Sequence, residues 1–599
     1  MSQASLGSTK LAAVILHRKR LRRELLDSAN LTDIRIAILG GTTTNEVVDL
    51  LEITLLQSGF RPTFYQSEYG KYYEDAVFNS KQLAAFNPDI VYIHTSVFNI
   101  LNWPPISCDE KKFSAYVEAE LGRYLTIWKS LAASVGCQII QNNFEFPVNA
   151  LLGNLDTISA GGATRFISEL NRRLSQEARD NNLLSIQDIC TISARIGLNQ
   201  WFDLDRWYSY KIVSSVEASY AVACSIAAIV RAIYGRTRKV LVLDLDNTLW
   251  GGIIGDDGLA KIALGRETPL AEAYTAFQEY CLSLRERGIL LAVCSKNDDK
   301  IAKEGFTHPD SVLKLEHFSA FRANWEPKHE NILAIARELN LSTDSFVFID
   351  DNPSERALVS AQIPGIAVPD VGCDVTRYVS ILEMQRYFEP FSLGMEDLER
   401  AKLYADNTLR VQLEIAFSDY GEYLDSLQMR AEIEEFLPAY MERIVQLTNK
   451  TNQFNLTTKR YTLAELLAAI EDGQHIGIYG KLTDRFGENG LISVLLGRID
   501  KHQFHIDLWL MSCRVLKRDM ELAMLDSIVC RVRSRGVNML IGYYYPTSKN
   551  GLVADHYQTL GFTLILRNEE TGSCVYSLDI SHYATRNSHI HILMETTHG

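Results

Sequence analysis

Long apolar runs are missing from this chain. No stretch reaches the eighteen or more consecutive apolar residues that a membrane helix needs, so no membrane partner is expected. Paired cysteines are missing too. The ten cysteines are scattered, with no Cys-x-x-Cys, which argues against a disulfide or zinc framework and fits reduced thiols in the cytoplasm. A basic balance is absent: the net charge of -14 speaks against nucleic acid as a partner. No secretory leader is read, because the apolar residues 11–16 are few and basic residues follow them rather than precede them. Repeats and low-complexity tracts are also lacking. What remains is a 599-residue chain, 47% hydrophobic, with the length of about three or four domains.

Residues 239–252 organise the rest. Val240-Leu241-Val242-Leu243 is an unbroken apolar run, suited to a strand buried on both faces of a parallel sheet. It leads into Asp244 and Asp246, at the carboxyl end where open α/β sheets bind ligands. On a pure strand this pair shares one face, and two such carboxylates repel unless a cation lies between them.

Further elements are legible downstream. Thr268 and Pro269 read as N-cap and N1 of a helix that stops at Gly288. Residues 289–294 form a second buried strand, running into Ser295-Lys296-Asn297-Asp298. Trp325-Glu326-Pro327-Lys328 opens a helix to Leu339. Residues 345–349 form a third strand, ending in Asp350-Asp351-Asn352-Pro353, and Asn352, Pro353 and Glu355 read as a capping-box start, with Glu355 at N3. These residue types suit phosphoryl transfer. A carboxylate can attack phosphorus, a second carboxylate can protonate the leaving oxygen, and the attack on a dianion needs Mg²⁺ and a lysine. Only about thirty residues separate the Ser295 motif from Lys328, too few for a large cap domain. The site is therefore expected to stand open to a macromolecular acceptor, with water excluded by other means.

In this order, Asp244-x-Asp246-x-Thr248, Ser295, Lys328 and Asp350-Asp351 resemble the four motifs of the haloacid dehalogenase superfamily. The resemblance implies Asp244 as nucleophile and Asp246 as acid/base that also offers its backbone carbonyl to Mg²⁺. It implies Thr248, Ser295 and Lys328 as the phosphate-binding residues, with Thr248 also bonding locally near the nucleophile. Asp350 completes the metal ligands, with Asp351 and Asn297 in support. Residues 244–258, 294–298 and 348–353 look like the FkbH-like subfamily, whose pattern extends over almost the whole chain. Such proteins are similar to glyceryl transferase/phosphatases. They take 1,3-bisphosphoglycerate, remove phosphate and load D-glyceryl onto the phosphopantetheine of an acyl carrier protein. In that reading the Cys294 thiol accepts glyceryl as a thioester, its pKa lowered by Lys296 and Mg²⁺. Read as a residue alone, Cys294 is equally a buried strand cysteine, which strand alternation would turn away from a site-facing Ser295.

Before residue 236, strands at 35–41, 88–94, 137–141 and 184–186 alternate with helices, among them 45–58, and imply a doubly wound α/β domain. Its turn Gly40-Gly41-Thr42-Thr43 and its late Asp205-Arg206-Trp207-Tyr208 resemble SGNH hydrolases, with Thr where Ser is expected and Tyr where His is expected. A hydroxyl without a base is a poor nucleophile, so a non-catalytic recognition or scaffolding role is expected.

Beyond residue 431 the strand–helix pattern, with His556-Tyr557-Gln558-Thr559-Leu560-Gly561-Phe562, resembles a GNAT acyltransferase. That fold holds the pyrophosphate-pantetheine of coenzyme A at a helix N-terminus. Lys517 and Asp519 stand where the related pattern has glycine, so a carrier's phosphopantetheine, with one phosphate, fits better than coenzyme A. Arg514, Lys517 and Arg518, with Arg531, Arg533 and Arg535, are expected to form a basic patch for an acidic carrier. The polar run 448–456, dense in Thr, Asn and Gln, reads as a binding loop.

The expected architecture is an α/β chain: an N-terminal helix (1–34), an SGNH/flavodoxin-like domain (35–235), an uncapped haloacid-dehalogenase-like domain (236–370), a helical connector (371–430) and a GNAT-like domain (431–599). The expected activity is Mg²⁺-dependent loading of D-glyceryl onto an acyl carrier protein with dephosphorylation. A plain phosphatase of a small phosphoester, and a non-catalytic carrier-recruiting protein, are the alternatives.

Overall fold

Parallel strands covered on both faces set the architecture. The computed structural model describes residues 8–27, 31–451, 453–512, 515–547 and 550–593. In the compact unit Leu6–Val230, β1 (Thr32–Gly40), β2 (Phe60–Gln66), β3 (Ile90–His94), β4 (Gln138–Asn142) and β5 (Leu184–Gln187) form an all-parallel sheet in the order β2-β1-β3-β4-β5. Helices α1 (Ser8–Leu26), α2 (Asn45–Gln57), α3 (Glu110–Ser134) and α4 (Ala163–Arg179) alternate with these strands. This is the flavodoxin-like winding. Sequence reading passed over β2 because Pro62 interrupts it. Proline is tolerated there because β2 lies at the sheet edge. Helix α5 (Val216–Ile233) is, by length and composition, apolar enough to cross a membrane, despite Glu217 and Arg231, and 56% of it is buried inside the protein.

The unit from Arg231 onward holds two sheets. The first is parallel, in the order β8-β7-β6-β9: β6 (Val240–Leu243), β7 (Leu290–Ser295), β8 (Phe318–Ala323) and β9 (Phe346–Ile349). All four residues of β6 are fully buried. On one face Leu241, Leu243, Leu291 and Val293 pack on Tyr274, Phe277 and Cys281 of α6 (Pro269–Glu286). On the other, Val240, Val242, Ala292 and Phe348 meet Ile332 and Ile335 of α7 (Lys328–Glu338) and Val359 of α8 (Pro353–Gln362). Helix α6 starts as expected: the Thr268 hydroxyl accepts from the Ala271 N–H at 3.1 Å, with Pro269 at N1. After it, Gly288 has φ +91°, and a Cβ there would lie 1.7 Å from the Asp397 carbonyl oxygen, so the connector requires glycine.

The second sheet has eight strands, in the order β15-β16-β14-β13-β12-β11-β10-β17. They are β10 (Met429–Glu435), β11 (His475–Asp484), β12 (Gly487–Asp500), β13 (Gln503–Met511), β14 (Met539–Tyr544), β15 (Thr563–Arg567), β16 (Cys574–Asp579) and β17 (Ile590–Leu593). Parallel neighbours β13 and β14 pair only at residues 503–506 with 539–542. Beyond that they diverge, and residues 454–457 fill the gap. The Leu456 N–H donates to Trp509 O (3.1 Å), the Met511 N–H to Phe454 O (3.1 Å) and the Tyr545 N–H to Leu456 O (2.9 Å). The polar run expected as a binding loop is thus, at its end, a buried strap: Asn455 is 1% and Leu456 0% exposed. The physical reason is that diverging strands leave backbone groups that need partners, and this segment supplies them. Asn550 fastens it, donating from Nδ2 to Asn455 O at 3.0 Å.

One buried ion cluster ties the connector helix α9 (Arg400–Ile415) to this sheet. Arg410 donates twice to Asp484, at 2.8 and 2.7 Å, and Arg518 reaches the same carboxylate at 3.3 Å. Arg410, Asp484 and Arg518 have side chains only 2%, 0% and 6% exposed. Removing the shared carboxylate strands two guanidinium groups. Asp484→Asn is therefore expected to lose roughly 3–5 kcal/mol of stability, read as a lowered urea midpoint with an unchanged m-value. A midpoint within error of wild type would refute the tie.

Candidate functional site

The register of the four-stranded sheet builds the site. Leu243 lies opposite Ile349 on adjacent parallel strands, so Asp244 and Asp350 leave their strands side by side. Both continue the face that packs on α7, and α7 begins with Lys328. The Lys328 ammonium sits 2.6 Å from Asp350 Oδ2 and 3.0 Å from Asp244 Oδ2. All three residues are buried, at 3%, 0% and 7% exposure. The two carboxylates hold the Lys328 pKa above its ordinary value against the opposing effect of burial. Burial, then repulsion by Asp244, pushes Asp350 upward. Its Oδ1 accepts from the Asn352 N–H at 2.8 Å.

Asp246 lies past the end of β6, so the expectation that it shares a strand face with Asp244 gives way to a different arrangement. Its Oδ1 accepts from Trp250 Nε1 (2.9 Å) and the Ile254 N–H (3.1 Å), and its Oδ2 from Asn297 Nδ2 (3.0 Å). Burial is the largest influence and raises its pKa, as suits a carboxyl that must carry a proton. Directly after Asp246, Asn247 takes a left-handed φ of 53° and its Oδ1 accepts from the Gly252 N–H at 3.0 Å, which turns the chain. Asn297, expected in support, is thus a direct partner of Asp246.

Asp244, Asp350 and Asp351 each offer one carboxylate oxygen, all within 4.8 Å of one another. Asp244 Oδ1 is buried with no hydrogen-bond partner in the structure. Three carboxylates against one ammonium, with an orphaned buried oxygen, fit a small divalent cation that prefers hard oxygen donors. Asp351, expected only as support, is therefore in the donor set, and the Asp246 carboxylate is outside it.

Ser295, 2% exposed, ends β7 beside Asn324, whose N–H donates to its carbonyl at 3.2 Å. Thr248 is fully buried and its hydroxyl makes no hydrogen bond, so the expected local bond near the nucleophile is absent. Cys294 corrects two expectations at once. It packs on the face of β7 that meets α7, the face of Asp244 and Asp350, so alternation does not turn it away. Yet it is 0% exposed, its thiol lies 3.5 Å from Lys328 O, and burial drives its pKa upward despite the nearby ammonium. Lys296 does not act on it; its ammonium binds Glu355 Oε1 at 2.6 Å. Glu355 accordingly makes no capping box, and the helix start is capped by the Asn352 side chain alone, through the Ser354 N–H.

Sequence reasoning missed Trp250 and Arg356. Trp250 carries a signal, four residues after Asp246 and completely buried. Arg356, 9% exposed, clamps the Asp350 and Asp351 carbonyls at 2.7 Å each, a role without a sequence signature.

The outer candidates fare differently. Arg514 lies outside the described residues. Lys517 is exposed, with φ 64°. Arg518 is 5% exposed and bound to Asp484 and Asn407, so it cannot meet a carrier. Arg531 and Arg533 donate to the carbonyls of Ile433 and Tyr583. Of the expected basic patch, Arg518 is thus taken up by folding and Arg531 half-buried, while Lys517, Arg533 and Arg535 are exposed. In the N-terminal unit Thr42 is buried with an unpartnered hydroxyl, and Thr43 Oγ1 donates to Tyr210 O at 2.7 Å. Tyr208 is 73% exposed.

Residues 35–231 match the sequence pattern of the FkbH N-terminal domain. Among solved structures, the chain is similar to the N-terminal part of protein BF1531 from Bacteroides fragilis, described as containing a phosphatase domain complexed with Mg. Identity is 30%, over 62% of this chain and 99% of that one, with a TM-score of 0.58. The C-terminal region aligns with the ribosomal-protein-S18-alanine N-acetyltransferase from Escherichia coli (11% identity, 26% of this chain, 99% of that chain, TM-score 0.20). It also aligns with the putative acetyltransferase yncA from Salmonella typhimurium (14%, 26%, 98%, TM-score 0.21). At those scores the eight-stranded sheet is described by its own strand order alone. No curated protein matches the chain. The motif-bearing sheet, the matched N-terminal pattern and near-complete coverage of the Bacteroides phosphatase-domain chain place this protein in the FkbH-like family, with a phosphatase domain of the haloacid dehalogenase type.

Proposed function

We propose that the chain dephosphorylates a glyceryl phosphate and loads the glyceryl group from 1,3-bisphosphoglycerate onto the phosphopantetheine thiol of an acyl carrier protein. The observation that carries the phosphoryl chemistry is Lys328 bridging Asp244 and Asp350 beside Asp246, whose pKa is raised. Asp244 attacks phosphorus, and the bond from phosphorus to the leaving oxygen breaks. Asp246 gives that oxygen its proton, then takes one from the water that hydrolyses the aspartyl-phosphate. Lys328 neutralises phosphoryl charge, and Ser295 stands at the strand end to hold an oxygen. A Mg²⁺ bound by Asp244, Asp350 and Asp351 would supply the remaining positive charge, as the Bacteroides relative's bound Mg supports. Trp250, Ile254 and Asn297 keep Asp246 oriented.

The acyl half uses different groups. The acceptor thiol attacks the carbonyl carbon of the acyl phosphate, and that carbon's bond to the phosphate oxygen breaks, releasing phosphate. Cys294 is buried with a raised pKa, which favours direct attack by the carrier's thiol over a protein-bound thioester. Two features of the surroundings suit such a substrate and acceptor. Lys296 supplies a second, exposed cation next to Ser295, matched to a second anionic group. Trp325, 76% exposed, directly follows Asn324, which bonds Ser295, and gives the mouth an apolar rim.

Three outcomes are expected. Asp244→Asn abolishes phosphate release while the protein stays folded, and EDTA silences the wild type until Mg²⁺ is restored; turnover by the folded variant removes Asp244 from its role. Lys296→Met raises KM for 1,3-bisphosphoglycerate about tenfold with little change in kcat, and leaves p-nitrophenyl phosphate hydrolysis unaltered. An equal effect on both substrates argues against a second-anion contact. Cys294→Ala keeps carrier loading within about twofold and loses roughly 1–2 kcal/mol of stability to the cavity. A glyceryl adduct on the Cys294 peptide by mass spectrometry would reverse that assignment.

A further inference from the structure

A single buried guanidinium grips the turn that carries two of the three clustered carboxylates. Arg356, on α8, reaches back along the chain. Its Nη1 donates to Asp350 O and Asp351 O, at 2.7 Å each. Its Nη2 donates to Asp370 Oδ1 at 2.6 Å. The Arg356 side chain is 10% exposed and that of Asp370 71%. Hydrogen bonds from a charged donor are stronger than neutral ones, and the planar fork of arginine fixes the direction of each.

Chain topology brings these partners together. After α8 the chain returns beside β9, where Ala367 bridges Val347 in parallel. The Phe348 N–H donates to Ala367 O at 2.8 Å, and the Ala367 N–H to Phe346 O at 3.0 Å. Three residues further along each segment stand Asp350 and Asp370, and Arg356 joins them. Asp370 Oδ1 also accepts from the Gly372 N–H at 3.3 Å. The Tyr378 hydroxyl lies 3.5 Å from both Gly372 O and Asn247 O, the latter in the turn after Asp246. Residues 370–372 therefore connect the turn of Asp350 and Asp351 with that of Asp246.

The two carbonyls that Arg356 holds belong to the peptide units on either side of Asp351. Asp351 is the half-buried member of the three carboxylates, whose oxygens lie within 4.8 Å of one another. Like charges at that spacing repel, so a free Asp351 would swing toward solvent. With both flanking peptide planes fixed, its backbone cannot follow. Charge alone has the opposite sign: a guanidinium beside a cation site repels the cation, and Asp370 offsets only part of that.

We infer that Arg356 is a positioning residue for metal binding, which fixes the backbone around Asp351 so that its carboxylate joins those of Asp244 and Asp350 on one cation. The inference rests on the reading of those three residues as Mg²⁺ donors.

The test titrates the full chain, stripped of metal, with Mg²⁺ by isothermal calorimetry well below its unfolding temperature. Thermal midpoints in EDTA are measured alongside. Arg356→Met is expected to weaken Mg²⁺ binding by about 10–100-fold, the usual cost of losing a group that orients a metal ligand. Arg356→Lys keeps the charge and folds more readily, but loses the fork that spans two carbonyls and Asp370. It is expected to weaken binding by at least about fivefold. Unchanged or tighter binding by folded Arg356→Met overturns the inference, and so does wild-type affinity in Arg356→Lys. A lowered midpoint in EDTA with unaltered Mg²⁺ affinity makes the clamp merely structural and overturns it too, as does failure of both variants to fold. A wild-type chain that binds no Mg²⁺ is a separate failure, of the donor set itself, and removes the clamp's role with it.

Discussion

The Lys328 ammonium, held between Asp244 and Asp350, is the interaction on which the centre of the protein depends. Parallel pairing of β6 with β9 forces two carboxylates together inside the fold. Two such groups cannot both stay ionised without a cation. Helix α7 supplies one because its apolar residues Ile332 and Ile335 seat it on the same sheet face, and its first residue then falls over both acids. Asp351 adds a third carboxylate to the same small volume. One ammonium leaves that volume negative. The packing that closes the hydrophobic face therefore also creates a site that asks for more positive charge, from a metal ion and not from further side chains.

Much of this was legible because fully buried parallel strands leave a plain mark. Val240-Leu241-Val242-Leu243 announces its own burial, and the polar residues after each such run mark the carboxyl edge of the sheet. Thr268-Pro269 announces the start of α6 equally plainly. Less legible was anything set by which residue ends a strand. Asp246 sits two residues from Asp244, but β6 stops at Leu243, so the i, i+2 rule for strands no longer applies and Trp250 decides where Asp246 points. Glu355 fits the position of a capping residue, yet Lys296, 59 residues earlier, claims it. Arg518 resembles the exposed Lys517 in charge, yet Asp484, 34 residues away, and Asn407 hold it buried.

The strap at 454–457 shows why composition misleads. A run of Asn, Thr and Gln reads as solvent-facing because its side chains are polar. The gap between β13 and β14 selects instead for backbone donors and acceptors, and short polar side chains satisfy what the backbone leaves over, as Thr457 does by donating to Asp507 O at 2.8 Å. An extended amide-bearing ligand entering that gap would have to displace three main-chain hydrogen bonds and the fully buried Leu456. The strap thus keeps this gap closed to such a ligand.

The same packing limits where the acceptor of the proposed reaction could reach the phosphatase site. The strap fills the C-terminal gap, Arg518 beside it is engaged with Asp484, and Cys294 is sealed beneath α7. Under the proposed function, a thiol on a long arm would approach at the carboxyl edge of the four-stranded sheet, by Lys296, Glu355 and the exposed Trp325. The same edge would have to admit the water that hydrolyses the aspartyl-phosphate. Thiolysis and hydrolysis can share one entrance provided they act on different atoms: the thiol on a carbonyl carbon, the water on phosphorus held by Asp244 and Lys328. A bisphosphorylated acyl substrate presents both atoms, at its two ends.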